Sequence, residues 1–271
     1  EKNTVQETLI IPLYARKVCS ELYPNLYQDE TAVRLIDEID YDFSEAEKNS
    51  RGLMQRFGSL EVAMRQNDLA WEVRDYLKTH PNAAVVNLGC GLDSTGRSCD
   101  NDSCKIYNLD FPDVIAVRNE LLPAGEREEN IPCDLNNTEW FRKIDSSNGA
   151  VFFASGVFYY FLTEQVKALV QGMADAFPGS VLVFDAANRT AVKMIAKTWL
   201  KSAKIKDVGA YFAVSDAKSE LSPWNSRLQV TSRGYMLGYN DLRDPSVSGF
   251  FRFLAKVGDE MMKMQIVKVN F

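Results

Sequence analysis

A chain of 271 residues, 46% hydrophobic and 25% charged, carries enough apolar material for a sizeable core, which excludes a disordered or low-complexity protein. The net charge is −6 and the lysines and arginines are scattered, so the basic footprint of a DNA or RNA binder is missing and a polyanion is a poor substrate. No apolar run approaches the roughly eighteen residues of a membrane-spanning helix, and no basic-then-apolar signal layout opens the chain, so the expected setting is cytoplasmic, with neither a membrane nor a nucleic acid as partner.

Residues 1–82 contain no alternating stretch. DETAVRLIDEI, SEAEKNSRGLMQRF and SLEVAMRQNDLAWEVRDYLKTH instead place apolar residues at helical spacing behind Asp or Ser caps, which predicts an all-helical extension. From residue 83 the pattern changes to short apolar runs, AAVVNL, KIYNLD, ENIPCD, AVFFAS and SVLVFDAA, separated by helix-length segments with helices predicted at 112–122, 138–144 and 163–177. Such alternation implies crossovers and a mainly parallel α/β sheet over 83–271. NRTAVKMIAKTWLKSAKI then reads as a helix, and YFAVSDAKSELSPWNSRLQV as a cover for a pocket, so that 188–235 forms a lid. Near the end, GYMLGYN and MQIVKVNF read as strands around the helix SVSGFFRFLAKVGDEMMK, which predicts an antiparallel edge.

The five cysteines, Cys19, Cys90, Cys99, Cys104 and Cys133, form an odd set with no C-x-x-C pair, and His80 is the single histidine. Neither a disulfide framework nor a metal site is expected. His80 precedes the first strand, at the wrong end of the sheet for catalysis.

Chemistry concentrates in VVNLGCGLDSTGR, where a buried strand stops at two glycines. Gly89 and Gly91 allow a sharp turn and a close approach to a ligand outside the carboxyl end of the first strand. The next strand ends in Asp110, about twenty residues beyond, where a carboxylate can accept both hydroxyls of a ribose; capping of the helix that starts at Pro112 is the competing role. Asp134 closes the third strand, with apolar Leu135 behind it, a combination that suits the amine and the face of an adenine. Three acids at three successive strand ends, after a glycine turn, describe a nucleoside site better than three independent caps. A dinucleotide is the weaker choice: the third position of G-x-G-x-x-G is Ser94, and Asp93 in the loop would repel a pyrophosphate while favouring a sulfonium or an amino group. In the preceding helix Arg65 shares a face with Leu69, Val73 and Tyr76, and an arginine on an apolar stripe wants an anionic partner.

Together VVNLGCGLDS, YNLDFPDV, CDLNNTEW and FFASGVFYYFLTEQVKALV resemble the leucine carboxyl methyltransferase family, including its bacterial O-methyltransferases of the tetracenomycin polyketide type, over roughly residues 60 to 190. The resemblance implies a class I S-adenosylmethionine-dependent methyltransferase fold, Rossmann-like, with a mainly parallel seven-stranded sheet, and methylation of a hydroxyl or carboxyl oxygen on a small-molecule acceptor. By position it implies Gly89, in the turn shared with Gly91, at the methionine part of the cofactor, Asp110 on the ribose, Asp134 and Leu135 around the adenine, and Arg65 on the methionine carboxylate. One departure stands out: after the fourth strand the family has an acid near the cofactor, and this chain has Ser155, which can hydrogen-bond but brings no charge. Tyr159 and Tyr160 follow, one of them a candidate to face the acceptor. A protein C-terminal carboxyl methyltransferase, a non-catalytic cofactor-binding homologue and an NAD-dependent oxidoreductase remain alternatives at this level, and neither the acceptor, a general base nor the oligomeric state is specified.

Overall fold

Alternation inside short strands sets the two faces of the sheet. In β1 (Ala84–Leu88), Ala84, Val86 and Leu88 point to one side and Val85 to the other; in β4 (Ala150–Ala154) Phe152 and Phe153 divide in the same way. Burial on both faces is what a sheet flanked by helices on either side requires. The structure, a computed structural model, describes residues 4–195 and 211–271. With β2 (Lys105–Asp110), β3 (Glu128–Pro132), β5 (Val181–Ala186), β6 (Gln229–Gly234) and β7 (Gln265–Asn270), the strands form one seven-stranded sheet in the order β3-β2-β1-β4-β5-β7-β6. The first five strands pair in parallel, and β7 runs antiparallel between β5 and β6. The order reverses between β1 and β4, so the crevice at their carboxyl ends is where a ligand fits.

The N-terminal stretch forms four helices: α1 (Thr4–Leu22), α2 (Glu30–Glu38), α3 (Ser44–Ser50) and α4 (Leu53–Thr79). The single helix expected at 44–57 is broken at Gly52, which takes an extended conformation and caps α4; glycine is a weak helix former. α1 and α4 pack over one face of the sheet through Cys19, Tyr23, Leu60, Leu69 and Val73, against Val85, Val151 and Val183. α1 and α2 also meet the loop after β1, where Leu13, Leu35 and Ile36 surround Leu92. His80 ends α4 and stacks on Tyr76, at the edge where the strands begin.

After β1 comes a single turn, α5 (Thr95–Ser98), and after β2 a longer helix, α6 (Pro112–Leu121). The helix expected at 138–144 is a 3-10 turn (Thr138–Lys143), and α7 (Thr163–Ala176) covers the second face with Trp140 and Phe177 beneath it. α8 (Arg189–Ile195) begins the predicted helix 188–205; the remainder of that expectation, 196–205, lies outside the described residues. Phe212, Val214, Leu221 and Val230, from the segment expected to cover a pocket, pack into the core beside α9 (Ala217–Leu221).

The strand expected at 234–240 lies earlier, at β6. Asp259 of α10 (Gly249–Glu260) accepts the backbone N–H groups of Met236 and Leu237, which draws this stretch out of the sheet into a turn. β6 itself reads as polar because it is an edge strand with most side chains in solvent.

Candidate functional site

The carboxyl ends of β1, β2 and β3 lie side by side, since Leu88 pairs with Leu109 and Asp110 with Pro132. Gly89 and Gly91 both take left-handed φ, +67° and +45°. At Gly89 space matters as much as conformation: a Cβ there would lie 2.6 Å from Cγ2 of Val157, in the loop after β4. The glycine is therefore the point at which the β1 and β4 loops touch.

Asp110 ties the turn together. Its Oδ2 accepts the Gly91 N–H at 2.8 Å and its Oδ1 the Phe111 N–H at 2.8 Å; the N-cap of α6 is Phe111 and no side chain caps that helix, so the capping role expected of Asp110 does not hold. A carboxylate has about four lone-pair sites and can accept further hydroxyls. Burial pushes the Asp110 carboxyl above its usual range, against the two backbone N–H groups and the charge of Arg118. Asp134 stands two residues past the end of β3 and is exposed, with Oδ1 accepting from the backbone and side chain of Asn136, while Leu135 is buried. Phe111, half-exposed directly after Asp110, adds an aromatic face that the sequence reading did not single out.

Asp93 turns inward. It is 7% exposed, and its oxygens accept from Asn87 Nδ2 and from the backbone and hydroxyl of Thr95. The charge argument built on this residue therefore fails: both Asp93 oxygens are engaged inside the fold, by Asn87 and Thr95. The case against a dinucleotide rests instead on α5, a single turn with no full helix N-terminus to meet a pyrophosphate.

Two arginines hold the glycine loop, and the sequence reading missed both. Buried Arg118 of α6 donates through Nη1 to the carbonyls of Gly91 and Asp93, and Arg16 of α1 donates to the Leu92 carbonyl while pairing with Asp29 at 2.9 Å. Arg118 follows Val114 and Ile115 on a buried helix face, so the stripe logic that singled out Arg65 could have found it.

A second group of polar residues gathers at the ends of β4 and β5. Arg65 reaches across 120 residues to Asp185, with Nη1 3.2 Å from Oδ2, and Asp185 Oδ1 accepts the Gly156 N–H at 2.6 Å. Asp185 points to the α4 side because it alternates with Phe184 on β5, and its side chain is 1% exposed. Burial works against the Arg65 charge, but Asp185 and then Tyr235, Tyr159 and Tyr160 outweigh it, holding the guanidinium above its ordinary range. Arg65 Nε is buried with no hydrogen-bond partner. Ser155 donates to Oε1 of buried Gln66 at 2.5 Å. Tyr159 is buried, and burial followed by the charge of Asp185 holds its phenol well above the ordinary range, whereas Tyr160 is 41% exposed. On the same helix Glu61 is pushed by burial up to about 7, and Asp68 up to about 9, with Asp68 Oδ2 lacking a partner.

The chain matches the leucine carboxyl methyltransferase family model over residues 12–174. It belongs to that family. The tetracenomycin polyketide synthesis O-methyltransferase TcmP of Streptomyces glaucescens is 30% identical over 186 residues, covering 67% of this chain and 66% of TcmP, just under two thirds of that relative. Among solved structures, a DUF574 family protein from Streptomyces avermitilis is 12% identical with a TM-score of 0.60, covering 94% of this chain and 96% of that one. The plantazolicin methyltransferase BpumL, solved in complex with SAH, is 13% identical with a TM-score of 0.50, covering 99% and 100%. These likenesses show the class I, Rossmann-like methyltransferase fold that the strand order describes.

Proposed function

We propose that the protein is an S-adenosylmethionine-dependent O-methyltransferase that acts on a hydroxyl or carboxyl of a small, polyketide-like metabolite in the cytoplasm. The observation that carries this reading is the placement of Gly89, Gly91, Asp110 and Asp134 around one crevice, with an arginine that keeps unpartnered donor capacity at the far side of the Gly89–Val157 contact. The residues fit the cofactor. Asp110 would accept the ribose hydroxyls, Asp134 the adenine amine, Leu135 and Phe111 would flank the ring, and Arg65 would take the methionine carboxylate. Ser155 spends its proton on Gln66, so its oxygen is left as an acceptor for the cofactor's amino group.

When bound, the cofactor supplies a methyl group on a sulfonium, open to in-line displacement by an oxygen. The protein's task is to align that oxygen and to exclude water. The β1 loop is held from below by Asp110 and from the flanks by Arg16 and Arg118, which fixes its path. We read residues 1–82 as an extension that closes over this loop, 83–271 as the catalytic domain, and 188–235 as the segment bordering the acceptor. Tyr160, and Tyr211 beside it through the Tyr159 carbonyl, are exposed aromatics suited to an apolar acceptor at that border. The names of the family and of TcmP support an oxygen acceptor.

Calorimetric titration of the purified protein with S-adenosylmethionine and S-adenosylhomocysteine, with NAD as control, tests the reading. Saturable binding of the first two and none of NAD is expected, followed by S-adenosylhomocysteine release in a screen of phenols and carboxylic acids. Absence of cofactor binding would remove the enzyme assignment. Binding without turnover on any acceptor would favour a cofactor-binding homologue, a reading that the uncharged Ser155 specifically invites.

A further inference from the structure

The family's acid after β4 is absent at Ser155, yet a buried carboxylate does reach the same place from the neighbouring strand. Asp185, at the end of β5, accepts the N–H of Gly156, the residue directly after Ser155, and pairs with Arg65 on α4. The two contacts use different oxygens, Oδ1 for the backbone and Oδ2 for Nη1. Arg65 also lies flat against the bare Cα of Gly156: a Cβ there would be 2.9 Å from Nη1 and 3.1 Å from Nη2. The guanidinium is thus fixed on one side by Asp185 and on another by the β4 loop. Its opposite edge is different. Nε is buried without a partner, and Nη2 has none among the described residues. Nε and Nη2 form the two-donor edge that matches a carboxylate.

We propose that Asp185 is a positioning residue: by holding Arg65 through Nη1 it presents the Nε/Nη2 edge to the carboxylate of the cofactor's methionine moiety, in a cofactor site whose β4 end lacks its own acid. This inference rests on the proposed cofactor. Removing Asp185 has two opposed consequences. An unpaired guanidinium attracts an anion more strongly, but it also loses the contact that aims it. The geometry decides between them, because both carboxylate oxygens are in use. An amide offers a single acceptor oxygen, so Asp185→Asn would turn an NH2 group on either Gly156 N–H or Arg65 Nη1, and the arginine edge moves.

The test is calorimetric titration of wild type, Asp185→Asn, Arg65→Ala and the double variant with two probes. One is S-adenosylhomocysteine; the other is 5′-methylthioadenosine, which keeps the nucleoside and the thioether but lacks the amino-acid head. Circular dichroism and thermal melts establish that each variant is folded. For Asp185→Asn, a loss of roughly 10- to 100-fold for S-adenosylhomocysteine, as for other groups that orient a binding side chain, is expected, with 5′-methylthioadenosine unchanged. The double variant should be no weaker than Arg65→Ala alone, since Asp185 acts through that arginine. Equal losses for both probes, additive losses in the double variant, or unchanged or tighter S-adenosylhomocysteine binding by Asp185→Asn would each overturn the proposal. Failure of the wild type to bind either probe would instead strike the cofactor reading on which it stands.

Discussion

The two halves of the crevice are built in different ways. At the ends of β1 to β3 the polar side chains are tied to backbone close by: Asp110 to the N–H groups of Gly91 and Phe111, and Asp134 to Asn136. At the ends of β4 and β5 side chains from distant parts of the chain hold one another, Arg65 to Asp185 and Ser155 to Gln66. The first arrangement fixes the path of a loop, which suits recognition of a rigid nucleoside. The second fixes the direction of a side-chain charge, which suits a flexible zwitterionic head. The halves meet where Val157 packs on Gly89.

The strongest way to break this division is Gly89→Ala. An added Cβ would combine a left-handed φ with a 2.6 Å approach to Val157, so both halves should fail together. The strain is on the order of 1–3 kcal/mol before the clash is counted. S-adenosylhomocysteine and 5′-methylthioadenosine titrations should both fall at least 100-fold; retention of either would show the contact to be dispensable. Asp110→Ala comes next. Loss of a charge-assisted hydrogen bond costs about 1.5–3 kcal/mol, so both probes should weaken roughly 10- to 100-fold, and unchanged affinity in a folded variant would leave Asp110 only as the residue that holds the β1 turn.

The same contrast explains what could be read from the sequence. Gly89, Gly91, Asp110 and Asp134 lie at strand ends, where a period of two followed by an abrupt polar stop is visible in a few residues. The strands themselves were legible for the same reason, with β2 matching its expected bounds. The partner of Arg65 was not legible: the stripe on α4 called for an anion, but no local pattern points from residue 65 to residue 185. Asp93 misled because charge alone was considered, whereas the hydrogen-bonding capacity of Asn87 and Thr95 drew it inward. β6 was missed because an edge strand carries little of the apolar pattern that betrays an inner one.

Asp68 sharpens the comparison through pH. Burial first, then Asp259 and Glu72, raise its carboxyl to about 9, far above an unfolded aspartate near 3.9. The folded form therefore keeps a proton that the unfolded form gives up, and stability falls as pH rises from about 4 to about 9. Asp68→Asn should remove this loss, stabilising the protein by up to about 5 kcal/mol at pH 8 and by little near pH 4, as read by denaturant unfolding. A difference independent of pH would mean that Asp68 is ionised in the fold. The smallest effect is expected from Ser155→Ala, which leaves buried Gln66 without its donor and should cost about 1 kcal/mol of stability. With the Ser155 acceptor oxygen gone, S-adenosylhomocysteine affinity should fall less than tenfold.

The central claim is that one cofactor bridges both halves, and the most direct test compares Arg65→Ala with Asp110→Ala by calorimetry using S-adenosylhomocysteine and 5′-methylthioadenosine. Arg65→Ala should lower affinity for the first alone, while Asp110→Ala lowers both. Equal losses for the two probes in Arg65→Ala, or no loss in either variant, would contradict the division of the site.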